Sequence, residues 1–287
     1  MSNPEKPLSV ATLPQELIEM IISYIYNVQT LRSLSMASCF FRQLALPALY
    51  HTLTLTNDWE KDRKRWLKSL LGLLALVKIR KKTKDPYEWS NPLLELDKLS
   101  YLDHVERLAI QTFYPSRPFT AKQLDGGHNL LYFSALKNLR ELRIEHLLLS
   151  SFMPNIQRYF GHLAPTLQSL ALKNPKASCR QILCFIGLFP KLRDLKLVSF
   201  GRTPEDGTPV THAPLSKPPL DGWLALGYCK GEEFVDDMIA LYGNFRFRYV
   251  SLYSVEYIRR VLDECVDTLE TLQLEPKWSD DYSKNLF

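Results

Sequence analysis

The side chains able to do covalent or metal chemistry are scattered through this chain. Cys179 and Cys184 lie five positions apart in an apolar run, with no second pair to complete a tetrahedral zinc set. Glu232, Glu233, Asp236 and Asp237 recur at helical spacing and form one acidic face, which reads as solvated charge rather than an oxygen cage for a divalent cation. The six histidines, His51, His104, His128, His146, His162 and His212, share no spacing. There is no Gly-x-Ser-x-Gly elbow, phosphate-binding glycine loop, His-Glu-x-x-His or Cys-x-x-Cys. The sequence therefore predicts no catalytic residue, no metal ligand and no cofactor. The chain reads as a binding protein, not an enzyme, and its chemistry must be recognition.

Composition sets the frame for that recognition. A chain of 287 residues, 46% hydrophobic and 23% charged, is ordinary globular material. A chain of this size buries roughly three-quarters of its unfolded surface, so its core needs neither disulfides nor metal. The five cysteines, Cys39, Cys179, Cys184, Cys229 and Cys265, are odd in number and mostly set in apolar runs, which suits buried thiols in a reducing compartment. An intracellular location, cytoplasmic or nuclear, is expected. Residues 1–7 lack the basic and apolar regions of a secretory signal. The most apolar window, 66–79, is interrupted by Lys68 and falls short of the roughly 20 residues of a membrane span. No membrane association is expected, and a net charge of +5 does not by itself argue for nucleic acid.

The elements that present the recognition surfaces begin near the N-terminus. Pro14 suits the first turn of a helix and Glu16 its positive end. Leu17, Ile18, Ile21, Ile22 and Ile25 follow at helical spacing, so one helix runs to about Ile25. Asn27 and Thr30 offer caps for a second, carrying Leu31, Leu34, Ala37, Ser38, Phe41 and Leu44 until Pro47 ends it. So few short helices cannot bury all this apolar surface among themselves, and some of it must meet the rest of the chain, as a helical cap, or a separate partner.

The ordered pattern Leu13-Pro14-x-Glu16-Leu17-Ile18, Ile21-Ile22-x-Tyr24-Ile25, Leu31-x-x-Leu34-Ser35-x-x-Ser38-x-x-Phe41-Arg42 and Pro47-x-Leu49-Tyr50 resembles the F-box over about forty positions. The continuation Leu49-Tyr50-His51-Thr52-Leu53-Thr54-Leu55 resembles that of fungal F-box proteins, which run from this point into a strand. The resemblance implies a three-helix docking module over residues 9–50 that binds a Skp-type adaptor and through it a cullin ubiquitin ligase. By position, Leu13, Pro14, Leu17, Ile18, Ile22, Leu31, Leu34 and Phe41 would make the adaptor contact or brace it.

Downstream one phrase returns: Val105-x-x-Leu108-x-Ile110, Leu139-x-x-Leu142-x-Ile144, Leu167-x-x-Leu170-x-Leu172, Leu192-x-x-Leu195-x-Leu197 and Leu269-x-x-Leu272-x-Leu274. Looser copies end at Leu226 and Leu252, and Leu53-Thr54-Leu55 suits a first strand. Successive ends from Ile110 onward are 34, 28, 25, 29, 26 and 22 residues apart. This spacing resembles leucine-rich repeats. The fold class expected is α/β: the helical module, then an irregular leucine-rich-repeat-like solenoid over residues 51–275. The alternative is a single α/β domain whose strands read alike. Helical spacing between strands falls at 156–162, 179–189, 232–242 and 255–265, and a basic helix is expected at about 58–84. Residues 201–219, rich in Pro, Thr and Gly, read as an exposed loop, and 276–287 as a frayed polar tail.

Residues between the leucines of such strands alternate to the exposed face. Among them Arg107, Arg143, Trp223, Tyr249 and Tyr253 are the types that dominate binding energy, and they are the candidates for holding an unidentified target protein. The expected function is that of a substrate receptor, an adaptor that brings its target to a ubiquitin ligase. The basic clusters 61–65 and 78–84 have the layout of a bipartite nuclear import signal, or are a solvated helix face. They leave an alternative in which a repeat scaffold without a ligase associates with nucleic acid.

Overall fold

A computed structural model of the chain describes residues 13–25, 27–56, 100–111, 118, 120–121, 136–200, 216–227, 232–243, 245–252 and 258–274. Tyr253, Cys229, the basic helix expected at 58–84, most of the loop at 201–219 and the tail lie outside the described residues. The chain divides into two compact units, Met1–Thr52 and Leu53–Phe287.

The first unit is built on three helices with local start signals. Helix α1, Gln15–Ser23, follows Pro14, whose carbonyl accepts the Leu17 and Ile18 N–H groups at 3.1 and 3.3 Å. Helix α2, Val28–Ala37, is capped by the Asn27 side chain, which accepts the N–H groups of Gln29 and Thr30 at 2.9 and 3.1 Å. Helix α3, Cys39–Tyr50, starts at Ser38, which is extended and accepts the Phe41 N–H at 3.1 Å. The expectation of one helix through Leu44, ended by Pro47, is thus corrected: the break falls at Ser38, and Pro47 lies inside α3. A side chain able to cap competes with helix continuation at Ser38. Pro47 removes only one donor near the end of the helix, and three more residues follow it. Ile18, Ile22, Leu31 and Ala45 form the core of this unit, with Ile25, Leu34, Phe41, Leu44 and Leu49 packed around it. Cys39 is exposed, unlike the buried thiols expected, because it opens α3 on the solvent side.

The second unit is an α/β structure around one eight-stranded sheet. Its strands are β1 (Thr52–Thr56), β2 (Arg107–Gln111), β3 (Glu141–Glu145), β4 (Ser169–Lys173), β5 (Asp194–Val198), β6 (Trp223–Gly227), β7 (Tyr249–Leu252) and β8 (Thr271–Leu274). They lie in the sheet in chain order, and every described pair from β2 to β8 is parallel. Between them come α4 (Ile156–Phe160), α5 (Cys179–Ile186), α6 (Glu232–Tyr242) and α7 (Ile258–Cys265). The first two are shorter than the helical spacing suggests: α4 passes into a 3₁₀ turn at Gly161–Leu163, and α5 ends at Gly187, three residues before Pro190.

The register explains the recurring phrase. Leu108, Leu142, Leu170, Leu195, Leu224, Val250 and Leu272 stand side by side across the sheet, and Ile110, Ile144, Leu172, Leu197, Leu226, Leu252 and Leu274 form a second row. Strands β3, β4 and β5 enter the ladder alike. The carbonyl of Glu106 accepts the N–H groups of Arg140 and Glu141, that of Arg140 those of Gln168 and Ser169, and that of Gln168 those of Arg193 and Asp194, all at 2.8–3.0 Å. Strands β3, β4 and β5 also leave alike: His146, Asn174 and Ser199 take φ of 53°, 49° and 55° and donate to the carbonyls of Lys173, Val198 and Gly227. A left-handed residue turns the chain sharply off the sheet there.

Behind the sheet the leucine rows meet a file of phenylalanines. Ring centroids run from Phe152 to Phe160 at 5.4 Å, Phe160 to Phe185 at 4.9 Å and Phe185 to Phe189 at 5.2 Å. All four side chains are fully buried, so the intervening segments interlock with each other as well as with the strands. A capping box fixes the start of α5: Ser178 accepts the Gln181 N–H at 3.3 Å, and the Gln181 side-chain oxygen accepts the Ser178 N–H at 3.0 Å. That bond gives the buried Gln181 a partner for its side chain. Truncating Phe185 to alanine empties the middle of the file and should destabilise the chain by about 3–5 kcal/mol. Equilibrium urea unfolding measures this, and a loss under about 1 kcal/mol would show that the file does not carry the core.

Candidate functional site

Two surfaces carry the residue types that bind proteins. The first is on α1, which is apolar on two adjoining faces. Ile18 and Ile22 turn into the unit's own core, at 5% and 3% exposure. Leu17, Met20, Ile21 and Tyr24 recur at i, i+3, i+4 and i+7 on the neighbouring face and are 43%, 55%, 54% and 69% exposed. Leu13 and Pro14 extend this stripe beyond the helix start and are also exposed. The polar side of α1 is held by Gln15, which donates to Glu19 at 2.7 Å.

The residues expected at an adaptor contact therefore divide. Leu13, Pro14 and Leu17 lie on the open stripe, while Ile18, Ile22 and Leu31 are core and Leu34 and Phe41 are packed against that core. Met20, Ile21 and Tyr24, which also lie on this stripe, are not among the contact residues expected from the sequence. Their spacing from Leu17 carried the signal. The exposed Val28, Met36 and Phe40 of α2 and α3 were also missed.

The second surface is the sheet face between the leucines. Parallel register sets Arg107, Glu141, Ser169 and Asp194 in one row, and Trp223, Tyr249 and Thr271 in another stretch of it further across. The next row holds Ala109, Arg143, Ala171 and Lys196, then Ala225, Ser251 and Gln273. The first half of the face is charged and internally paired. Glu141 takes Arg107 at 3.0 Å and also Arg143, and Lys173 meets Glu145 at 3.8 Å. Two of the expected recognition residues, Arg107 and Arg143, are thus joined through one carboxylate.

The second half is aromatic. Trp223 and Tyr249, 48% and 43% exposed, stand side by side with ring centroids 6.4 Å apart, above the small side chains of Ala225 and Ser251. The backbone of Trp223 is held in an irregular way. Its N–H donates to a carboxylate oxygen of Asp194 at 2.8 Å, while the Gly222 N–H takes the Arg193 carbonyl at 3.1 Å. A Cβ on Gly222 would lie 1.9 Å from that same Asp194 oxygen, so glycine is what lets the carboxylate reach Trp223. Burial raises the Asp194 carboxyl above its ordinary value, against the lowering effects of the Trp223 N–H and of Arg193. Tyr249 hydrogen-bonds Glu270, which raises its phenol.

Chemistry elsewhere is muted. Burial raises the thiols of Cys184 and, to about 11, Cys265, which makes them poor nucleophiles. Among the described residues no group of three or more His, Cys, Asp or Glu side chains could hold a metal ion, and no helix is long and apolar enough to cross a membrane. Comparison of the chain with protein-family models and with curated protein sequences finds no match in either.

The Asp194–Trp223 contact makes two predictions. Gly222→Ala pushes the carboxylate away and leaves the Trp223 N–H without its acceptor, which should cost about 1–3 kcal/mol in urea unfolding, whereas Trp223→Phe should stay within about 1 kcal/mol of the parent. Because the Asp194 pKa is raised in the fold, its contribution to stability is fully present below the ordinary carboxylate value and falls as pH rises through the raised one. Asp194→Asn keeps an oxygen for the Trp223 N–H, so thermal melts between about pH 3 and pH 7 should show the variant gaining on the parent as pH increases. A constant difference across that range would contradict the assignment.

Proposed function

We propose that this chain is a substrate receptor of F-box type: its first unit docks a Skp-type adaptor and through it a cullin ubiquitin ligase, and its second, a leucine-rich-repeat-like solenoid, holds a target protein on the exposed sheet face. The observation that carries the reading is the second apolar face of α1. A three-helix unit with a core of its own leaves Leu17, Met20, Ile21 and Tyr24 open, with Leu13 and Pro14 beside them. A contiguous apolar stripe of this kind is costly to leave in water and marks a contact surface. Its place in the ordered F-box pattern of residues 13–50 supports an adaptor as what it contacts. Ile18, Ile22 and Leu31 then act as bracing, and the protein works inside the cell by proximity, without a catalytic side chain.

The solenoid reading is supported by strand order equal to chain order, by the leucine rows and by the repeated entry and exit geometry of the strands. The alternative of a scaffold without a ligase draws on basic clusters outside the described residues, so no observation here favours it.

Co-purification with a recombinant Skp-type adaptor tests the proposal. Leu17→Asp combined with Ile21→Asp places charge on the open stripe and spares the core, so the variant should keep its circular dichroism and melting temperature. It should bind the adaptor at least about thirtyfold more weakly, the loss of a hot spot worth roughly 2 kcal/mol or more. Absence of a complex with the unaltered chain, or equal binding by the folded variant, would overturn the reading.

A further inference from the structure

Resting on the reading of the sheet face as the target-holding surface, we propose that Trp223 and Tyr249, with Asp194 beside them, receive a basic side chain, lysine or arginine, of the bound target. The two rings are each about half exposed, adjacent in register and 6.4 Å apart, so they present neighbouring π surfaces rather than a closed stack. The next row carries Lys196, Ala225 and Ser251, the last two at 3% exposure, so on that side the rings border packed surface and their open faces are the outer ones.

Charge then selects the occupant. Asp194 precedes Trp223 in the same row and is half buried. One of its oxygens is used by the Trp223 N–H, and among the described residues no hydrogen bond or ion pair engages the other. The charged groups that act on it are Arg193, which is already committed to Asp221 at 2.7 Å, and the carboxylates of Asp221 and Glu141. On the far side Tyr249 leans on Glu270, itself 3.6 Å from Arg248. A cation lying on the rings gains from their negative faces and can donate to the vacant Asp194 oxygen. An acidic side chain would meet that carboxylate head-on, and a neutral amide gains less from either feature.

The test uses the full chain with ¹⁵N-labelled tryptophan, the Trp223 indole signal being identified by its loss in Trp223→Phe. The probes are Ac-Gly-Arg-Gly-NH₂, Ac-Gly-Lys-Gly-NH₂, Ac-Gly-Gln-Gly-NH₂ and Ac-Gly-Glu-Gly-NH₂. The arginine and lysine peptides should shift that indole signal with half-saturation at least about threefold lower than the glutamine peptide, and this preference should vanish in Asp194→Asn. Equal shifts with the glutamine or glutamate peptide, a preference that survives Asp194→Asn, or no shift with any peptide would overturn the proposal. No adaptor is present in the titration, so failure of the adaptor to co-purify would remove the ligase reading while this preference still stood.

Discussion

Every strand of this sheet is four or five residues long and offers only two or three inward side chains, far too little to hold a strand in place alone. What holds the strands is parallel pairing in register, which sets one leucine row beside the next and lets each strand use its neighbours as its core. The rest follows from that constraint. Except where β5 meets β6, carbonyls immediately before the strands each take up two N–H groups at the start of the next strand and fix the register, and the left-handed residues at His146, Asn174 and Ser199 turn the chain away at matching heights. The phenylalanine file fills the space this leaves behind the sheet.

The same constraint frees the other face for recognition. With the leucines of β2–β7 turned inward, the alternate positions hold charge on β2–β5 and aromatic rings at the start of β6 and β7, around the small, buried Ala171, Ala225 and Ser251. Where β5 meets β6, Asp194 replaces a regular ladder bond, and Gly222 accommodates it. A half-buried carboxylate bound to the backbone of an exposed tryptophan spends stability on fixing the position of one ring, a feature more useful for binding than for folding. In the first unit the division is between two faces of one helix, one packed into a small core and the other left open.

The strands were legible because Leu-x-x-Leu-x-Leu alternates with period two at a short and repeated distance, and β2–β8 all fall on those phrases. The helix boundary at Ser38 was not, since the apolar spacing runs unbroken from Leu31 to Leu44 and only a local hydrogen bond to the Phe41 N–H decides it. Trp223 and Tyr249 could be placed on the outer face from alternation alone. Alternation also places their companion Asp194 outward, but it does not mark Asp194 as the residue that fixes Trp223, because that bond joins residues 29 positions apart. On α1, periodicity marks apolar positions without saying which of them find a partner inside the unit. Ile22 and Ile21 are chemically identical neighbours, and packing alone separates them.

That separation is the centre of the account, and hydroxyl-radical footprinting of the full chain, read by mass spectrometry, tests it most directly. Met20, Tyr24, Leu17 and Ile21 should be oxidised rapidly, while Ile18, Ile22 and Leu31 are protected. Protection of Met20 and Tyr24 to the level of Ile22 would mean that the stripe is already covered within the chain, and the case for a docking surface there would fall.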